Sequence, residues 1–170
     1  MDITVAERGD AAAGTAAPRG HAIDAARLQA LLPHRYPMLM IDRVEDVVRD
    51  QYAVGIKNVT VNEPYFQGHF PGHPVVPGVM IIESMAQTSA ALVLETLGEL
   101  CDGKIVYFMF IDKARFRRPV TPGDQMRIRV VKERSRGAVW KFHGTAFVDG
   151  MVAAEATYAA MIVRPGELAA

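Results

Sequence analysis

A single cysteine, Cys101, stands among 170 residues. One thiol cannot form an internal disulfide or a cysteine-rich zinc site. No basic residue adjoins it, so it reads as structural rather than nucleophilic. Net charge is also missing: 19 Lys and Arg balance 19 Asp and Glu, which leaves no global field to attract nucleic acid or a membrane surface. There is no Gly-x-Ser-x-Gly elbow, no phosphate-binding glycine loop and no internal repeat. The first twenty residues are rich in Ala and Gly and hold no continuous apolar stretch, unlike a signal peptide or a spanning segment. The expectation is a disordered tail over residues 1–20, then a single domain over 21–170, in a cytoplasmic protein.

What the chain does have is concentrated between Gly68 and Glu83, GHFPGHPVVPGVMIIE. Pro fixes φ and lacks a donor, so Pro71, Pro74 and Pro77 keep His69 and His73 out of a helix or central strand. Both histidines belong to a stiff loop. Pro77 suits the first position of a helix, which leaves the amides of Gly78 and Val79 as free donors at the positive end of the helix dipole. From Val79 to Leu97 the sequence is apolar on nearly every face for four turns, the mark of a helix enclosed by a core. Glu83 and Gln87 interrupt it too early for a membrane span of about 20 apolar residues. Gly98 is its stop signal.

The flanking segments alternate with period two. Asp24 can cap a short helix, Ala25 to Leu32. The segment Pro33 to Pro37 reads as extended, Met38 to Val48 as a strand and Tyr52 to Asn58 as another. After the long helix come strand-like segments at Ile105–Phe116, around Met126–Val130, at Trp140–Val148 and at Val152–Ala160. Arg136-Gly137 and Asp149-Gly150 mark hairpin turns. The fold class is α+β, with a curved, largely antiparallel sheet wrapped around one long helix.

Glu83 carries the chemistry. A carboxylate in an apolar helix is paired, neutralised or functional. An ion pair with an arginine is the structural alternative. Desolvation would raise its pKa, which suits a proton donor, and Gln87 one turn on can orient it. His69 and His73 have a metal-like spacing, but the prolines and Gly72 forbid the helix that would align them, and no third ligand is near. A base on a stiff loop, an acid on a helix and a pair of free amides together fit proton abstraction α to a carbonyl. His69 would take the proton, Gly78 and Val79 would polarise the carbonyl, and Glu83 would protonate a departing β-hydroxyl. Between Asp112 and Lys141 lie ten Lys and Arg against three acids, either solvated strand faces or a docking surface for an acidic partner.

Three motifs in this order resemble the β-hydroxyacyl-acyl carrier protein dehydratases of bacterial type II fatty acid synthesis, FabZ type. They are Leu32-Pro33-His34-Arg35-Tyr36-Pro37, the Gly68–Glu83 block with Met85-Ala86-Gln87, and Tyr107-Phe108-Met109 leading into Ile111 to Val120. The likeness covers about Ile23 to Val163. It implies the hotdog fold, with His69 as catalytic base and Glu83 as catalytic acid, supplied by the two chains of a dimer. It further implies three such dimers in a homohexamer and no metal or organic cofactor. The substrate is implied to be a (3R)-hydroxyacyl chain on the phosphopantetheine arm of acyl carrier protein, dehydrated to the trans-2-enoyl product for phospholipid or lipid A. Glutamate rather than aspartate at the acid position implies no isomerase activity. Phe66, Ile82, Tyr107 and Phe110 are implied to line the acyl tunnel, Tyr107 as its gate. Lys113, Arg115, Arg117 and Arg118 become candidates for carrier-protein docking. Two other readings are a hotdog thioesterase, against which the histidine argues, and an acyl-binding regulator, for which no DNA-binding segment is evident.

Overall fold

The structure, a computed structural model, describes residues 20–99, 102–164 and 166. Residues 1–19 of the expected tail, and Cys101, lie outside the described residues, whereas Gly20 is already tied to the domain by its N–H donating to Asp46 Oδ1 at 3.0 Å. The chain enters through a three-residue strand, β1 (His21–Ile23), followed by α1 (Ala25–Leu31). Asp24 caps that helix by accepting from the Arg27 N–H at 2.8 Å. The strand expected from Met38 starts later: β2 covers Arg43–Val48 and pairs with β3 (Tyr52–Asn58). Its missing half has a physical reason. Side chains, not a neighbouring strand, satisfy much of the backbone upstream. Gln87 bonds Met38 and Met40, and Arg35 bonds the carbonyls of Gln29, Leu32 and His34. The Pro33–Pro37 segment, expected to be extended, turns at Tyr36–Met38.

The central helix α2 spans Gly78–Leu97, and every residue from Ser84 to Glu95 is buried. Pro77 is its N-cap rather than its first helical residue. Gly98 ends it at φ 67°, donating its N–H to Leu94 O, as a left-handed C-terminal glycine does. Next come β4 (Ile105–Phe116), β5 (Gln125–Arg136), β6 (Val139–Val148) and β7 (Met151–Val163). The strands form one antiparallel sheet in the order β1-β2-β3-β5-β6-β7-β4. Met126, Ile128 and Val130 are buried against the helix while Arg127 and Arg129 point outward. Asp149 and Gly150 both take positive φ, 51° and 75°, as a tight hairpin turn requires.

Two contacts hold the sheet on the helix. Glu95, near the end of α2, is 7% exposed and gathers His21, Arg27 and Arg49 within 3.2 Å. Burial pushes its carboxyl pKa up, but these cations and their hydrogen bonds bring the net value below the usual range. At the middle of β3, Gly55 faces Thr88 so closely that an added Cβ would overlap its side chain. Thr88 cannot easily swing aside, because its hydroxyl donates to Ser84 O at 2.8 Å. Gly55→Ala is therefore expected to cost about 1–3 kcal/mol through overpacking. Thermal unfolding checks this, at roughly 2–4 °C per kcal/mol for a domain of this size. An unchanged Tm would show that helix and sheet separate freely at this point.

Candidate active site

The histidine loop is built on its own backbone. A 3₁₀ turn, Pro64–Gln67, presents the Tyr65 carbonyl to the amides of Gly68 and His69 at 3.2 and 2.9 Å. Phe70 and His73 exchange backbone hydrogen bonds, and Val75 N–H reaches His69 O. His73 thus shapes the loop through its backbone. His69 Nδ1 lies 2.7 Å from Val75 O. A carbonyl only accepts, so the hydrogen sits on Nδ1 and the neutral ring keeps its lone pair on Nε2. That is the form a general base needs.

His69 lines a cavity of about 640 Å³ together with Gly78, Val79, Phe116, Arg117 and Arg118. Gly78 opens α2 there, and the helical hydrogen bonds begin only at Met80, whose N–H reaches Pro77 O at 2.9 Å. The amides of Gly78 and Val79 precede that first bond, as donors at a helix N-terminus do. Gly78 is also required by space, since a Cβ would stand 2.7 Å from Phe116 Cε1.

Glu83 lines a different and much smaller cavity, about 20 Å³, with His34, Ala86, Gln87, Val106 and Phe108. Within one chain, then, the structure does not bring His69 and Glu83 together. Gln87 does orient Glu83, donating to its Oε1 at 2.8 Å. The polar partner beside Gln87 is not an arginine but His34, whose Nε2 is 3.3 Å from the same oxygen. This corrects the expected ionisation. Burial is the largest single influence and pushes the Glu83 carboxyl up, but the hydrogen bonds from His34 and Gln87 and the His34 charge together bring it below the usual value. His34 was the residue that sequence reasoning missed. Its signal was a polar side chain in a short stretch bounded by Pro33 and Pro37.

The other expected site residues are scattered. Phe66 and Ile82 are buried in the core, while Tyr107 and Phe110 are exposed on β4. Below Glu83, a narrow space shares Ala86 and Val106 with its cavity and continues past Ser89, Ala90 and Val93 to Trp140. Lys113 and Arg115 lie exposed on β4, away from the His69 cavity that Arg117 and Arg118 border. Arg117 pairs with Glu155 at 2.5 Å. Among the described residues, no group of three or more His, Cys, Asp or Glu is arranged to hold a metal, and no helix is long and apolar enough to cross a membrane.

The family described as FabA-like domain matches residues 32–157. A 3-hydroxyacyl-acyl-carrier-protein dehydratase FabZ of Paramagnetospirillum magneticum is 66% identical over 144 residues, 85% of this chain and 89% of its own length. The chain belongs to the FabZ dehydratases of the FabA-like family. A second FabZ, from Rhodospirillum rubrum, is 63% identical over 83% of this chain and 88% of its own. Among solved structures, the dehydratase heterocomplex ApeI:P of Xenorhabdus doucetiae superposes with a TM-score of 0.70 at 20% identity, covering 83% of this chain and 92% of its own. Together these fix the architecture of this FabZ-family chain as the hotdog fold.

Proposed function

We propose that this hydro-lyase dehydrates (3R)-hydroxyacyl thioesters on acyl carrier protein to trans-2-enoyl thioesters in fatty acid biosynthesis, using His69 and Glu83. The observation that carries the site assignment is the His69 ring, with Nδ1–H bound to Val75 O and its free Nε2 sharing a cavity with the start of α2. In this reading Nε2 takes the α-proton while the Gly78 amide, with Val79 beside it, holds the thioester oxygen as negative charge develops. The bond from Cβ to the hydroxyl oxygen breaks, and that oxygen takes a proton from the protonated form of Glu83 and departs as water. Glu83 is left as the carboxylate and must regain a proton before the next turnover. No cofactor enters this scheme. The double bond stays at position 2, because nothing in the scheme takes a proton from the γ carbon and returns one to the α carbon.

Separate cavities for the two side chains support a dimer as the catalytic unit, with His69 of one copy facing Glu83 of the other. β4 offers the surface. It ends the sheet and leaves Tyr107, Phe108, Met109, Phe110 and Ile111 exposed in a row, an open edge that ordinarily invites another strand. Three such dimers make the proposed hexamer, working in the cytoplasm beside its carrier protein. The acyl chain enters between Glu83 and the β4 aromatics, where Tyr107 and Phe110 join Phe66 and Ile82 once the copies close. Incubation with a hydroxyacyl carrier protein tests the reading: conjugated enoyl absorbance should appear, and release of free acid instead would make the chain a thioesterase.

Arg117 and Arg118 border the mouth through which the phosphopantetheine arm reaches His69, so they are the docking pair, with Lys113 and Arg115 further out. Reversing both charges, Arg117→Glu with Arg118→Glu, is expected to raise KM several-fold for the carrier-bound substrate and to weaken its salt dependence. The same acyl chain on a short pantetheine thioester should be unaffected. Equal effects on both substrates would remove these arginines from the docking surface.

A further inference from the structure

We propose that His34 is a positioning residue for this reaction: with Gln87 it occupies Oε1 of Glu83, leaving Oε2 as the oxygen that meets the substrate hydroxyl. The inference rests on the assignment of Glu83 as proton donor made above. It starts from the Gln87 amide, whose orientation two backbone groups determine. Met40 N–H donates to its oxygen at 2.8 Å, and its nitrogen donates to Met38 O at 2.7 Å. An N–H can only donate and a carbonyl can only accept, so the second hydrogen of that nitrogen is the one aimed at Glu83 Oε1.

His34 approaches the same oxygen through Nε2. Its other nitrogen, Nδ1, is buried and has no hydrogen-bond partner among the described residues. A hydrogen there would be a buried, unsatisfied donor, which is costly. The favoured tautomer carries it on Nε2, pointing at Glu83. Two donors on Oε1 suit an acceptor oxygen, and the acidic hydrogen of Glu83 is then left to Oε2. The backbone of His34 is held for this task, since the Arg35 guanidinium binds the carbonyls of Leu32 and His34 at 2.8 and 2.7 Å.

Few other groups compete for this carboxyl. From β4 come Val106 and Phe108, both apolar. From β7 comes the Tyr158 phenol, kept protonated by burial and donating to Met85 O. From the segment before β2 come His34 and Arg35, the latter turned to backbone carbonyls. Replacing His34 by an apolar residue removes influences that hold the Glu83 carboxyl down while the burial that pushes it up remains. The limb of the pH–rate profile that reports Glu83 should therefore move to higher pH.

The test compares His34→Leu with His34→Gln in the full chain, with Glu83→Gln as reference. The glutamine amide can stand where Nε2 stood. We expect the pH-independent limit of kcat to fall about tenfold in His34→Leu, a part of the roughly hundredfold that a general acid supplies, with KM within about twofold of the parent. The Glu83 limb should shift upward, and His34→Gln should recover most of both. If His34→Leu does not fold, His34→Asn takes its place, being polar but too short to reach Oε1. Folded variants with a superimposable pH profile, or equal losses in Leu and Gln, would overturn the role of His34 alone. Near-parental activity in Glu83→Gln would instead overturn the assignment on which it rests.

Discussion

Two variants that are each inactive regain turnover when mixed. His69→Ala and Glu83→Gln should each lose at least about a hundredfold in turnover, the low end for a general base or acid. Each homodimer then lacks the same group at both of its sites. In a dimer with one chain of each kind, one site receives an intact His69 from the Glu83→Gln chain and an intact Glu83 from the His69→Ala chain, while the other site receives neither. Random exchange at equal concentrations makes half of the dimers mixed, so activity should return to about a quarter of the parent in a two-fold symmetric assembly. The separate cavities of His69 and Glu83 in one chain are the reason to expect this. Unfolding and refolding the mixture before assay ensures exchange. A refolded mixture no more active than its components would mean that each chain completes its own site, and the dimeric reading would fall.

The largest effect on stability is expected at Glu63. Lys57, at the end of β3, is only 4% exposed, and its ammonium reaches Glu63 Oε1 at 2.5 Å. Removing the carboxylate in Glu63→Leu strands a buried positive charge, at a cost of about 3–5 kcal/mol. That corresponds to a fall in Tm of roughly 6–20 °C. Replacing both partners by apolar residues, Lys57→Met with Glu63→Leu, removes the stranded charge and should recover most of the loss. Calorimetry on the two singles and the double decides the matter, and a double variant no more stable than Glu63→Leu would show the pair is not coupled. Activity should follow stability here. Glu63 stands at the start of the 3₁₀ turn whose Tyr65 carbonyl holds the His69 amide, and its own carbonyl accepts from the Phe66 N–H.

What the sequence made legible was whatever is encoded locally. α2 announced itself because it is apolar all round and ends at a glycine that needs positive φ, and both features lie within its own twenty-one residues. The same holds for the Asp149-Gly150 hairpin and for the alternation of β5. His69 was readable because proline spacing alone fixes a loop. β1 was not readable: three residues carry no period, and they become a strand only because Val44 and Val47 lie opposite. Met38 to Asp42 looked like the start of a strand but is not, because Gln87, some fifty positions on, takes the hydrogen bonds that a ladder would have used. The ionisation of Glu83 went the wrong way for the same reason. Burial can be inferred from neighbours in the helix, whereas His34 arrives from another part of the chain.

The placing of β4 has a consequence for how the chain is made. Its ladder partner is β7, the last strand among the described residues, so on the ribosome its aromatic row emerges some fifty residues before the segment that will hold it. During that interval the most adhesive strand of the molecule has nothing to pair with, and nascent chains are then open to aggregation. Early release of a truncated product ending before Met151 should therefore yield insoluble protein, even though α2 and much of its wrapping are already complete.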